Sequence, residues 1–144
     1  AEMQRYLSKV SGPLLDRIDI HIEVTPVPFE KLTEERKSES SVEIRARVTK
    51  ARAAQTERFK DSKIVHYNAQ MNVNQIRIHC VLDSASKELL KNAMEQLNLS
   101  ARAYDRILKV SRTIADLQDE SEINGTHIAE AIQYRSLDRE GWLG

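Results

Sequence analysis

Ser100 is followed by apolar residues at Ala103, Ile107, Val110, Ile114 and Leu117, steps of three and four that a helix gathers onto one side. Ser100 is a suitable N-cap, so the pattern predicts an amphipathic helix over 101–118 with that stripe buried. This is the strongest periodic signal in the chain, and it commits the fold to helices packed around that stripe. It also puts Arg102 in the first turn, where the helix dipole presents its positive end and disfavours a cation. Two readings follow. The guanidinium points into water at a cost of about a few tenths of a kcal/mol, or it stands beside free backbone N–H groups as an anion site, for which phosphate is the usual occupant.

The rest of the chain is read as mostly helical. Tyr6, Leu7 and Val10 share a face of a short helix over 3–10, which Gly12-Pro13 breaks, and Pro13 suits the first turn of a brief helix carrying Leu14 and Leu15. Ile18, Ile20, Ile22 and Val24 alternate with Asp19, His21 and Glu23, which predicts a strand with one buried face. Such a strand needs partners along its edges. Pro26 and Pro28 end it, Phe29 to Glu35 read as a helical turn, and Arg36 to Ser40 as linker. Ser40 with Glu43 forms a capping box that opens a helix to about Phe59, with Val42, Ala46, Thr49, Ala53 and Thr56 inside. Asp61 to Met71 reads as a loop and Asn74 to Val81 as a short helix. Ser84 caps a helix to Leu97 that buries Leu89, Leu90, Ala93 and Leu97, and Thr126 caps a last one that packs Ile128, Ala131 and Ile132. The expected architecture is mainly α, a bundle of about five helices with a short N-terminal helix–strand extension.

A chain of 144 residues can bury one core. Its formal net charge of +0 argues against a domain that holds nucleic acid by bulk field. The charges are uneven, however. Arg45, Arg47, Lys50, Arg52, Arg58 and Lys60 face only Glu43 and Glu57 between Ser40 and Lys60, while Arg102, Arg106 and Lys109 fall on one helix face. Each group is either a solvated face or a contact for DNA, with Arg45, Arg52, Arg106 and Lys109 the candidates. Cys80, alone within Ile78-His79-Cys80-Val81-Leu82, reads as a packed core thiol, and no spacing of cysteine and histidine suits a metal. His21, His66, His79 and His127 have no serine and acid at a nucleophile spacing, so independent catalysis is not expected. Asp119-Glu120 follows a long helix and reads as a solvated helix exit. With no apolar run near the ~20 residues of a membrane span and no signal peptide, a cytoplasmic location is expected.

Three stretches carry a family resemblance. Ser11-Gly12-Pro13-Leu14-Leu15-Asp16-Arg17-Ile18-Asp19 resembles the arginine-finger segment of the Mg-chelatase-like AAA+ ATPases, the bacterial ComM/YifB group. Leu99-Ser100-Ala101-Arg102, with Arg106-Ile107-Leu108-Lys109-Val110-Ser111-Arg112-Thr113-Ile114-Ala115-Asp116-Leu117, resembles that group's sensor-2 helix, and Ile128 to Arg135 its C-terminal signature. From the residues alone, Arg17 between Asp16 and Asp19 could equally form a local ion pair. The resemblance implies instead an arginine finger acting in trans on a neighbour's ATP, and a sensor-2 role in cis for Arg102. It implies a helical lid domain over 40–144, a linker over 26–39, and residues 1–25 as the end of an αβα ATPase core.

The sequence has no P-loop: its glycines, at 12, 125, 141 and 144, never precede lysine. The resemblance therefore implies an upstream core that binds ATP and Mg²⁺, with neither expected on this piece alone, and partners in a ring, usually a hexamer. It links the motor to DNA processing or, as in magnesium chelatase, to metal insertion. The Ile18-Asp19 form of the finger motif and the Arg-Ile-Leu-Lys-Val run favour the competence-type branch. A non-catalytic helical module that docks a partner protein is the remaining alternative.

Overall fold

The computed structural model describes residues 14, 17–22, 24–29 and 38–135. Five α-helices account for most of them: α1 (Ser41–Arg58), α2 (Val73–His79), α3 (Ser84–Gln96), α4 (Ala101–Leu117) and α5 (Gly125–Gln133). A 3₁₀ turn, Asn68–Gln70, lies between α1 and α2. The architecture is mainly helical, as the periodicity requires. The expected helix over 3–10, the turn at Gly12-Pro13, most of the 29–35 segment and residues 136–144 lie outside the described residues.

α4 is the central element, packed against α1, the 3₁₀ turn, α2 and α5, while α3 closes over α5. Ala103, Ile107, Leu108, Ile114 and Ala115 of α4 are buried, and Val110 and Leu117 half-buried. Ile107, Leu108 and Ile114, with Val110 packed against them, meet Phe59, Val65, Met71, Ile76, Cys80, Leu82, Leu90, Ile123, Ile128 and Ala131 in one core. A parallel bridge between Leu82 and Ile123 ties the α2–α3 connection to the α4–α5 connection.

The helix ends follow capping chemistry. Ser40 and Glu43 form the anticipated capping box, and Ser100 Oγ accepts from the Ala103 N–H at 3.2 Å. Two caps shift by one or two residues from the sequence reading. Asp83, rather than Ser84, caps α3 by accepting the Ser86 N–H at 2.7 Å. Asn124, rather than Thr126, caps α5, and His127 Nδ1 returns the bond by accepting the Asn124 N–H at 3.1 Å. In both cases the side chain at the true N-cap reaches the orphan amides and its neighbour does not. α3 and α4 each end with a left-handed residue, Asn98 (φ 48°) and Asp119 (φ 63°). The following amides close back, Leu99 N–H onto Met94 O at 3.0 Å and Glu120 N–H onto Ala115 O at 2.9 Å, the Schellman pattern of helix termination. Asp119 and Glu120 are thus the exit of α4, with Asp119 paired to Lys50 at 2.6 Å.

Three burial expectations change. In α1, Val42, Ala46, Thr49, Ala53 and Thr56 are all exposed, Val42 at 78%. The buried residues are Ala51 and Gln55, with Phe59 just beyond the helix. The apolar pattern of α1 is too weak to set its rotation, which is set by polar contacts at its C-terminal half. Gln55 Oε1 accepts the Asn68 N–H at 3.1 Å, and Arg58 reaches α4. In α3 the inward residues are Ser86 and Leu90, so Leu89 is exposed and Ala93 and Leu97 are half-buried. Residues 18–22 and 24 form no strand. Ile22 and Val24 are 72% and 88% exposed, and His21, on the opposite side, is the buried residue at 6%. A strand needs a ladder, and the described residues supply only single bonds to this segment.

The most heavily bonded side chain is the Asp116 carboxylate. Arg58 donates to both its oxygens, Nη1 at 2.7 Å and Nη2 at 2.5 Å. Arg112 Nε donates at 3.1 Å and Asn68 Nδ2 at 2.8 Å. Arg112 also donates Nη1 to Ser121 O at 2.8 Å and Nη2 to Glu120 O at 2.6 Å. Burial pulls the Arg112 guanidinium below its usual range, and Asp116 opposes that pull. Removing one member of such a buried set leaves uncompensated charge, which costs about 3–5 kcal/mol. Asp116→Ala is therefore expected to destabilise the domain by about that amount, read from denaturant unfolding, with Arg58→Ala costing less because Arg58 lies nearer solvent.

Candidate nucleotide and anion site

Arg102 is exposed in the first turn of α4, and among the described residues no ion pair or side-chain hydrogen bond reaches it. The N–H groups of that turn have no carbonyl a turn back to meet. Ser100 Oγ takes the one at Ala103. The result is an exposed guanidinium in the first turn of a helix, at its positive end. At the other end of the helix, Arg112 and Asp116 tie the last two turns to α1 and to the α4–α5 connection.

Arg17 is exposed, with its own N–H closing a turn onto Leu14 O at 3.0 Å. Asp19 does not pair with it. Its carboxylate meets Arg106, one helical turn beyond Arg102. Asp16 lies outside the described residues.

The cations considered for DNA are placed differently from one another. Arg45 is exposed on α1, and Arg52, seven residues on and hence on the same side, lies over the Tyr67 ring at 5.2 Å. Arg106 is engaged by Asp19, and Lys109 Nζ donates to Ala69 O at 3.0 Å. Arg102, Arg106 and Lys109 do share one side of α4, but only the first projects without a partner among the described residues.

Among the described residues no group of three or more His, Cys, Asp and Glu side chains stands in position to hold a metal. Nor is any helix among them long and apolar enough to cross a membrane. Cys80 is buried beside the Phe59–His79 edge-to-face pair, whose centroids are 5.3 Å apart. Burial pushes its thiol up to about 11. The Arg58–Asn68–Arg112–Asp116 set was not anticipated as a unit. Its one local sign is the Arg112-to-Asp116 spacing of four, which a helix brings together.

The family described as "Magnesium chelatase, subunit ChlI C-terminal" matches residues 38–135, and the family described as "Magnesium chelatase, subunit ChlI" matches residues 1–32. The chain is 46% identical over 140 residues to the "Competence protein ComM" of Haemophilus influenzae, covering 96% of this chain and 26% of that protein. It is 38% identical over 136 residues to the "Uncharacterized protein YifB" of Salmonella typhimurium, covering 94% of this chain and 26% of that one. A 39% identity over 137 residues relates it to the protein of the same name in Escherichia coli, with 94% and 26% covered. The chain thus spans about a quarter of the length of the curated relatives it matches.

The raised Cys80 thiol sets a chemical probe of the core. With its value near 11 rather than 9.0, the thiolate at pH 8 is scarcer by about a hundredfold. Iodoacetamide at pH 8 is expected to label native Cys80 at least that much more slowly than the unfolded chain, with the rate rising with pH. Fast native labelling would mean an open core.

Proposed function

The chain belongs to the magnesium chelatase subunit ChlI C-terminal family, and from that premise we propose that it is the nucleotide-sensing lid of an AAA+ ATPase. In this reading the lid couples ATP hydrolysis in an oligomeric ring to motion used in DNA processing of the competence or recombination type. The observation that carries it is Arg102, an exposed cation at the positive end of the central helix, against which α1, the 3₁₀ turn, α2 and α5 pack. Its position costs stability, and among the described residues no ion pair or side-chain hydrogen bond offsets that cost, so a ligand is the economical explanation. Residues 40–144 form the lid, 26–39 the linker, and 1–25 the end of the ATPase core.

Arg102 meets the phosphates in cis, and Arg17 projects in trans toward the nucleotide of a neighbouring subunit, in a ring that is a hexamer in the usual AAA+ arrangement. A guanidinium is suited to both tasks because it stays charged and offers a planar fork of donors. The bound nucleotide and Mg²⁺ supply the reacting phosphoryl group and its charge neutralisation. This chain's residues supply phosphate recognition, while the upstream core holds the metal. DNA processing draws support from the likeness to a competence protein, with Arg45 and Arg52 the cations that an acidic strand meets first. Arg106 and Lys109 join only by releasing Asp19 and Ala69. A metal-chelatase-type motor is the second reading, supported by the family description itself. A docking module is the third, supported by the exposed Val42, Ile44 and Val48 of α1.

In the full-length protein, Arg102→Ala is expected to weaken ATP more than ADP in equilibrium dialysis, with Arg102→Lys recovering part of the loss. Equal affinity in variant and parent would support the docking module, and equal loss of both nucleotides would remove the sensor role. The melting temperature of the variant should hold or rise slightly, since a cation leaves a positive helix end.

Arg17→Ala is expected to leave ATP binding to monomers intact and to reduce turnover in the assembled ring sharply. Mixing Arg17→Ala subunits with P-loop-disabled subunits should restore part of the turnover, because some interfaces then join an intact P-loop to an intact finger. An early-melting variant with no complementation would return Arg17 to the local ion-pair reading.

A further inference from the structure

Among the described residues 17–22 there is no helix or ladder, and their apolar side chains mostly face outward. What positions the segment is a set of polar attachments to α4 and to the end of α5. Arg106 of α4 pairs with the Asp19 carboxylate. Arg135, 1% exposed at the end of α5, donates to Ile18 O. The His21 N–H donates to Tyr134 O at 2.7 Å. Beneath them Ile20 and Ile22 share a cleft of about 350 Å³ with Val110, Ile114 and Leu117 of α4 and with Tyr134, so apolar contact is incomplete.

The attachments at Ile18 and His21 land at the end of α5, and the one at Asp19, two residues after Arg17, lands on α4, whose first turn carries Arg102. Arg106 is one turn from Arg102, so any tilt or rotation of α4 displaces both guanidiniums together. We propose that the Asp19–Arg106 pair is a positioning link that sets the reach of Arg17 according to the orientation of α4. A phosphate that Arg102 engages in one subunit would thereby adjust the finger offered to the next. The inference rests on the assignments of Arg17 and Arg102 above, and adds Asp19 and Arg106 as positioning residues. Arg106 is correspondingly withdrawn from the DNA-contact group.

Energetics separate this role from a structural one. The Asp19 and Arg106 side chains are 49% and 26% exposed, and a pair that open to water contributes little to folding. Its loss should be nearly silent in stability and visible in geometry, where displacement of a reacting group by ~1 Å can cost up to a hundredfold in rate.

The test uses the full-length protein assembled with ATP and Mg²⁺. Asp19→Asn and Arg106→Gln are each expected to lower kcat about tenfold, with KM and the ATP dissociation constant within about twofold and the melting temperature nearly unchanged. The charge swap, Asp19→Arg with Arg106→Asp, should recover at least half of the lost kcat. Hydrogen exchange at the His21 amide should quicken in both single variants and slow again in the swap. Parental kcat in the single variants, or a loss that the swap does not repair, would overturn the link. Arg17→Ala in parallel separates the two levels. If it abolishes turnover while Asp19→Asn keeps the parental kcat, only the positioning link fails; if it leaves turnover intact, the finger assignment fails with it.

Discussion

A single buried carboxylate organises this domain. Asp116 lies in the last turn of α4 and gathers Arg58 from α1, Asn68 from the 3₁₀ turn and Arg112 from its own helix. Two guanidiniums around one carboxylate would be costly to bury if any donor were left over. The surplus is met by backbone and side-chain acceptors: Arg112 donates to the Glu120 and Ser121 carbonyls, and Arg58 Nη1 donates to Asn68 Oδ1 at 2.8 Å. The network thereby determines the rotation of α1, the path of the connection before α2 and the turn after α4. Apolar packing alone would hold α4 in place but leave α1 free to turn, because α1 buries little beyond Ala51 and Gln55.

That division of labour places the candidate site. The C-terminal half of α4 is immobilised by charge, its middle by the apolar core, and its first turn stands open. In the function proposed above, that anchored helix with an open first turn is the element through which an anion at Arg102 is sensed. Ile18, Asp19 and His21 are attached to α4 and to the end of α5, close in the chain to Arg17. The polar surface and the helical body are thus joined at defined residues.

The exposed apolar side chains of the N-terminal half of α1 and of residues 18–24 show where the bundle stops burying surface. Val42, Ile44 and Val48 lie on the half of α1 that precedes its anchoring by Gln55 and Arg58. Ile20, Ile22 and Val24 lie on a stretch whose period of two suits a sheet, yet no ladder forms among the described residues. Their alternation was legible and their pairing was not, because alternation is local while a ladder requires a second backbone.

The sequence by itself determined the elements whose information is local. The α4 stripe, the Ser40 and Ser100 caps, the burial of Cys80 and the first-turn position of Arg102 follow from spacing and side-chain chemistry within a few residues. The three motifs that resemble the Mg-chelatase-like ATPases are likewise contiguous, and the family match over 38–135 agrees with them. Tertiary structure alone decided which way α1 faces, why His21 rather than its isoleucine neighbours is buried, and that Asp19 meets Arg106 across 87 residues. Those outcomes depend on charged groups distant in the chain finding one another in a low-dielectric interior or at its margin. A one-dimensional pattern carries no record of such a meeting, since the same arginines and aspartates read equally well as a solvated surface.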